Sequence, residues 1–375
     1  MAENRPIQSA LPSTGGPGPR PRLHRARRDL RRADRVEGHG PAGRRPRRPR
    51  RRGRPRGCGD RCRRRRRGRR AGPPGHGRVE HDRRDRRPGG GPPRRAGPTP
   101  ALVTDPTPTD LPTDPRQLLA LARPLAEEVA ARLVASLDGA GPAVTSKSTA
   151  TDLVTELDTW AEAFLTERLL AARPHDAVQG EEGADVTGTS GVTWSIDPID
   201  GTVNFVHGLP GFCVSIAAKV DGRPVAGVVA SPLHRDVFTA TLGGGAFRND
   251  RAIHVAEPAS VARSVVGTGF GYDPDRRRRQ AEVLTRVLPR IADIRRGGAA
   301  AVDLCSVACG RLDAYWEVGL NDWDHAAGAL VAAEAGARVG GLAGEAPSER
   351  FIVAAPQVIW DDLVALLAEA GADAV

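Results

Sequence analysis

The chain has 375 residues, enough for one large domain or two. Its formal charge of +11 hides two unlike pieces: residues 1–100 hold 33 arginines, no lysine and 8 acids, a surplus of 25 positive charges, while the remaining 275 residues carry a net −14. No apolar run is long enough for a signal peptide or a membrane span, and the five cysteines form no disulfide framework, so the chain reads as soluble and cytoplasmic.

Residues 1–100 contain no Phe, Trp or Tyr. Such a composition cannot bury enough apolar surface to offset chain entropy, which predicts a disordered tail. Arginine clusters such as Arg63–Arg67 would neutralise phosphates, so one reading is a non-specific nucleic-acid arm, in which case the protein would be a binding protein rather than an enzyme. No aromatic residues are interleaved for base stacking, and no nucleic-acid module is recognisable. Arg, Pro, Gly and Ala without Lys is also what GC-rich DNA yields when translated upstream of the true start, and that reading is preferred. Cys58 and Cys62 lack a second pair to complete a metal site. Residues 101–114, rich in Thr, Pro and Asp, are a linker.

From Pro115 to about Leu137 apolar residues recur at helical spacing (Leu118, Leu119, Leu121, Leu125, Val129, Leu133, Leu137), which predicts a long amphipathic helix. After a Gly/Pro break come Lys147 and the run from Asp152 to Asp158. A second helix is expected to about Ala172, with Trp160, Phe164, Leu165 and Leu169 inward. Asp158 falls in its first turn, where the helix dipole favours a carboxylate; alone it reads as a helix-start charge. Glu181 and Glu182 between Gly180 and Gly183, taken alone, read as a solvated loop. Strands are expected at 213–220, 225–231, 237–242 and 265–268, with Gly243–Gly245 as a hairpin turn rather than a phosphate loop. A helix over 275–288 starts with Arg276–Arg279 as a solvated face. An Ala-rich helix over 300–309 packs Cys305 and Cys309, and a short strand covers 313–317. A helix begins at Trp323, with His325 on its surface, and a strand over 351–354 precedes a helix after Pro356. Residues 115–375 therefore suit one layered α/β domain with a large core.

The stretch from Trp194 to Phe205 carries the densest chemistry. Trp194–Ile196 ends a buried strand, and Pro198 and Gly201 then force a turn holding Asp197 and Asp200 three residues apart. Thr202 and Asn204 follow where a short helix starts with its N–H groups free. Hard cations take carboxylates plus water and substrate phosphate, and free helix N–H groups suit a phosphate, so a metal-and-phosphate centre is indicated. Taken alone, the same stretch fits an acidic surface turn equally well.

Asp158 after Asp-Leu-Val-Thr, Glu181 after Gly180, the Asp197/Asp200 turn with Thr202, Glu317, and Asp324 after Trp323 stand in sequence order. Together they resemble the inositol monophosphatase family of Mg²⁺-dependent, lithium-sensitive phosphatases. The signatures are Trp194-x-Ile-Asp-Pro-Ile-Asp-Gly-Thr-x-Asn-Phe205 and Trp323-Asp-x-Ala-Ala-Gly328, and the resemblance covers about residues 115–370. It implies the family's αβαβα sandwich and a homodimer. It implies that Glu181, Asp197 and the Ile199 carbonyl hold one Mg²⁺, that Asp197 bridges to a second held also by Asp200 and Asp324, and that a third, weaker ion sits near Glu181. The N–H groups of Gly201 and Thr202 would bind phosphate, and Thr202 paired with Asp158 would deprotonate the attacking water.

By the same resemblance Glu317 and Asp200 contact ring hydroxyls of an inositol phosphate, and Ala300 lies against the substrate. Residues 295–304 are similar to the family's bacterial Arg-Arg-x-Gly-Ser-Ala-Ala-x-Asp-Leu element, with Ala299 in place of Ser. The expected activity is phosphate release from myo-inositol 1-phosphate or a similar small polyol or sugar phosphate. Histidinol phosphate is the alternative substrate. Neither Cys nor His recurs in the motifs, which argues against a phosphoenzyme on those nucleophiles.

Overall fold

The computed structural model describes residues 113–137, 144–146 and 153–375. The expectations for the tail, for most of the linker, and for Lys147 and Asp152 lie outside the described residues.

Helix α1 (Pro115–Leu137) buries Leu118, Ala122, Ala126, Val129 and Leu133, the stripe its sequence period lays on one face. Strands β1 (Val144–Ser146) and β2 (Leu153–Thr155) pair antiparallel. Helix α2 (Glu156–Ala172) starts at a capping box: the Thr155 side chain accepts from the backbone of the first turn, and Asp158 accepts from the Thr155 N–H. Next come β3 (Ala177–Gly180), β4 (Asp185–Val186), β5 (Val192–Asp200), the single turn α3 (Thr202–Val206), β6 (Cys213–Val220), β7 (Arg223–Ser231), β8 (Asp236–Thr241), β9 (Gly245–Arg248) and β10 (Arg251–Ala252). These strands form an eight-stranded sheet in the order β10-β9-β8-β7-β6-β5-β3-β4, with β3 parallel to β5 and the other pairs antiparallel.

The second half supplies β11 (Val265–Thr268), α4 (Pro274–Val287), β12 (Asp293–Arg295), α5 (Ala300–Ala308), β13 (Ala314–Glu317), α6 (Asp322–Glu334), β14 (Ala337–Gly340), β15 (Ile352–Pro356) and α7 (Gln357–Glu369). Its five strands lie in the order β12-β11-β13-β15-β14.

Three apolar clusters glue five layers. Residues of α1 and α2 pack on one face of the large sheet, against Trp194, Ile196, Val214 and Ile216. Helices α5 and α6 lie between the sheets, meeting Cys213, Val229 and Phe238 on one side and Tyr315, Ile352 and Ala354 on the other. Val283 and Val287 of α4, with Trp360 and Leu363 of α7, cover the outer face of the small sheet at Val266, Trp316 and Val353. The order is therefore α, β, α, β, α. The central layer can be thin because its helices carry alanine and glycine: a Cβ on Gly328 of α6 would stand 3.0 Å from the Ala301 backbone of α5.

Some local expectations change. Strand β5 does not stop at Ile196 but runs through Pro198 to Asp200, with an irregularity in its pairing to β6 between Asp197 and Asp200. A proline is tolerated in a strand at such a bulge. His325, expected on a helix surface, is only 6% exposed, because α6 is sandwiched between the sheets rather than lying outside them. Strands β3, β4, β12 and β14, two to four residues each, were not expected. They are too short to show alternation. Cys305 is buried and Cys309 half-buried, as packing residues.

Candidate active site

A cavity of about 430 Å³ opens where β5, α3 and the N-terminal ends of α5 and α6 converge. Glu181, Asp197, Ile199, Asp200, Gly201, Thr202, Ala300, Glu317 and Asp324 all line it. Asp158 sits directly behind, fully buried.

Each side chain is held by local backbone. The bulge in β5 turns Asp197 and Asp200 toward the cavity, and Asp197 Oδ1 accepts from the Ile199 N–H at 3.0 Å. Asp200 reaches a hundred residues along the chain to the start of α5, accepting from Ala300 N at 3.2 Å and Ala301 N at 2.8 Å. Those N–H groups have no helical partner and carry the positive end of the helix dipole, so the carboxylate fits there. Asp324, third residue of α6, accepts from the Asn321 N–H at 2.6 Å in a second capping box.

Gly201 lies between strand and helix at φ 87°, and a Cβ there would stand 3.0 Å from the carbonyls of Gly211 and Gly298. Both facts demand glycine. Thr202 Oγ1 stands 3.0 Å from the Ile199 carbonyl and 3.3 Å from Asp158 Oδ1, so its one proton has two acceptors. Asp158 Oδ2 receives the Thr155 N–H at 2.8 Å and its hydroxyl at 2.5 Å. These bonds fix the carboxylate so that its other oxygen faces Thr202.

The acids crowd one another in a region shielded from water. Burial pushes the Asp197 carboxyl well above the usual range, and Glu181, Asp200 and Asp324 add to the rise; Asp197 and Glu181 share a hydrogen bond. Asp324 is raised by burial, then by Asp200 and Glu181. Asp200 is pushed up to about 7 by burial, against the pull of the Ala301 N–H. Glu317 is raised to about 7 by burial, while the Tyr315 hydroxyl that it accepts from and the nearby Arg296 oppose the rise. Asp303 is raised to about 8, first by burial and then by Glu317 and Asp200. Acids crowded together in this way are costly. The donor set is all carboxylate and carbonyl oxygen, which suits a hard divalent cation. Among the described residues no three of these side chains already stand as a ready ligand group.

Several contributors carry no motif in the sequence. Glu162, on α2 and buried, accepts from the N–H groups of Glu182 and Ala184 at 2.7 Å each, and so shapes the loop bearing Glu181. Its i, i+4 relation to Asp158 was the available signal. Glu162→Ala would remove the acceptor of both N–H groups, at a cost of about 3 kcal/mol or roughly 6–12 °C in Tm by calorimetry. An unchanged Tm would show that the loop holds without it. Arg276, expected in a solvated face, is half-buried and lines the cavity.

The fold and site have counterparts among known proteins. The model of the inositol monophosphatase family matches residues 114–372. Inositol-1-monophosphatase of Mycobacterium bovis is 48% identical over 278 residues, covering 68% of this chain and 94% of its own. A Pseudomonas aeruginosa protein named Nus factor SuhB is 43% identical over 201 residues, covering 52% of this chain and 74% of its own. Among solved structures, Mycobacterium tuberculosis SuhB is 44% identical with a TM-score of 0.58, covering 68% of this chain and 97% of its own. The suhB protein of Bartonella henselae is 35% identical with a TM-score of 0.63, covering 67% and 98%. With a family match over nearly the whole described region and the acids of both signatures gathered at one cavity, this chain belongs to the inositol monophosphatase family of phosphatases.

Proposed function

We propose that this phosphatase hydrolyses myo-inositol 1-phosphate or a similar small polyol or sugar phosphate with Mg²⁺ as its cofactor. The observation that carries the reading is the enclosure of Glu181, Asp197, Asp200 and Asp324 in one cavity, next to a Thr202–Asp158 pair. Relatives named inositol-1-monophosphatase support the substrate class.

Glu181, Asp197 and the Ile199 carbonyl would hold one Mg²⁺, and Asp197, Asp200 and Asp324 another, with a third, weaker ion near Glu181. Bound there, the ions would neutralise phosphate charge and acidify a water. The backbone N–H groups of Gly201 and Thr202 receive phosphate oxygens. Thr202 positions the attacking water and passes its proton toward Asp158, whose second oxygen is occupied by Thr155 and cannot turn away. Glu317, Asp200 and the Ala300 backbone meet the hydroxyls of the polyol.

Two results would test this. Thr202→Val keeps the shape but deletes the hydroxyl, and should lower kcat by roughly 10²–10⁴-fold with little change in KM. Equal loss in KM would make Thr202 a binding residue only. Phosphate release from inositol 1-phosphate, histidinol phosphate and fructose 1,6-bisphosphate, each with and without lithium, tests the substrate. The reading expects lithium-sensitive turnover, fastest on inositol 1-phosphate and lost on chelation of Mg²⁺; fastest turnover of histidinol phosphate would replace the substrate. We further propose a homodimer working in the cytoplasm, which a monomer in light scattering would contradict. No helix among the described residues is long and apolar enough to cross a membrane.

A further inference from the structure

We infer that Asp322 is a positioning residue that sets the separation between Asp197 and Asp324 before any cation binds. The inference rests on the metal-site reading proposed above.

Asp322 opens α6, two residues before Asp324. Its Oδ2 accepts from Ser195 Oγ at 2.6 Å, and its Oδ1 lies 2.6 Å from Lys219 Nζ. Ser195 belongs to β5, two residues before Asp197, so the period of a strand puts both side chains on the same face. Asp322 on the helix therefore meets the strand on the face that also carries Asp197, two positions further along. A third bond reinforces this contact. Ser215, directly opposite Asp197 in the β5–β6 register, donates to the Trp323 carbonyl at 3.3 Å. The first turn of α6 is thus pinned to both strands around Asp197.

The pinning opposes a definite force. Asp324 is one of the acids that raise the proton affinity of buried Asp197, and that crowding would push the start of α6 off the sheet. Lys219 balances the charge of Asp322, so the clamp adds no net negative charge to the cluster. Ser195 is 1% exposed, the Lys219 side chain 12% and the Asp322 side chain 31%, so these bonds are partly shielded from water. Holding the two ligands at their working separation in advance lowers the ordering cost of ion binding, as supporting residues around metal sites do.

The test is Mn²⁺ binding to the metal-free full chain, followed by electron paramagnetic resonance well below the unfolding temperature. Under that condition lost stability alone leaves Kd in place. Asp322→Ala is expected to weaken Mn²⁺ binding by roughly 10–100-fold. Asp322→Asn, which keeps one acceptor, should fall between it and wild type, and substrate KM at saturating metal should stay unchanged. Ser195→Ala removes only a hydroxyl and should weaken binding severalfold even if Asp322→Ala fails to fold. Wild-type Mn²⁺ affinity in Ser195→Ala and Asp322→Asn would overturn the inference. Asp197→Asn is the control: if it too binds like wild type, the metal-site reading itself fails and takes the inference with it.

Discussion

Replacing Asp197 by Asn should abolish turnover and, in metal-free protein, raise stability. Asp197 is 1% exposed, faces Glu181 across a hydrogen bond, and has its other oxygen on the Ile199 N–H. An Asn in the same rotamer keeps both contacts: its carbonyl accepts from Ile199 and its amide donates to Glu181. What disappears is an ionisable group that burial and its acidic neighbours penalise, worth about 1–2 kcal/mol, or roughly 2–8 °C in Tm. The same change removes the carboxylate assigned to both ions. A metal ion supplies several kcal/mol of transition-state stabilisation, so kcat/KM should fall by about 10³-fold or more. Calorimetry in a chelator and phosphate release in Mg²⁺ read the two effects separately. A variant that is both inactive and less stable would mean that Asp197 is chiefly structural. Opposite signs would mark a site that sacrifices stability for function.

The second large effect concerns pH. Glu317 and Asp303 hold their protons in the folded chain to about 7 and about 8, against 4.5 and 3.8 for free carboxyls. Above the ordinary carboxylate range the unfolded chain has released these protons while the folded chain still keeps them. Their contribution to stability is therefore greatest below about pH 4, falls as pH rises, and is fully lost above about pH 8. Because both groups are almost wholly buried, the two together are worth several kcal/mol, or about 10 °C in Tm between pH 5 and pH 9. The measurement is Tm against pH in a chelator, for wild type and for Glu317→Gln with Asp303→Asn. The double variant should lose this part of the slope and keep the part due to Asp197, Asp200 and Asp324. An equally steep profile would place the titration elsewhere in the chain.

What the sequence revealed depended on how local the cause was. Helix α1 matches its expected span, Pro115–Leu137, because seven apolar residues repeat along one face without help from elsewhere. The metal-ligand candidates were legible because Asp-Pro-Ile-Asp-Gly-Thr and Trp-Asp-x-Ala-Ala-Gly are unusual runs whose chemistry is written in adjacent residues. Glu162, Tyr315, Asp322 and Arg276 were not legible as parts of the site. Glu162 and Asp322 act on segments distant in sequence, Arg276 reaches the cavity only through tertiary packing, and Tyr315 serves Glu317 two residues on without any motif marking it. His325 was misplaced for the same reason. A helix start looks exposed until the second sheet covers it, and only the five-layer stacking decides that.

The Ser195–Asp322 bond joins residues 127 apart, and the Asp200–Ala301 bond joins residues 101 apart. During synthesis at roughly 5–20 residues per second, the strand bearing Asp197 and Asp200 therefore emerges about 6–25 s before the helix that completes its cavity. In that interval the acids are on an unfinished chain, open to water and able to shed charge repulsion by moving apart. The protein thus meets its own electrostatic conflict only late in assembly, when α6 closes the central layer.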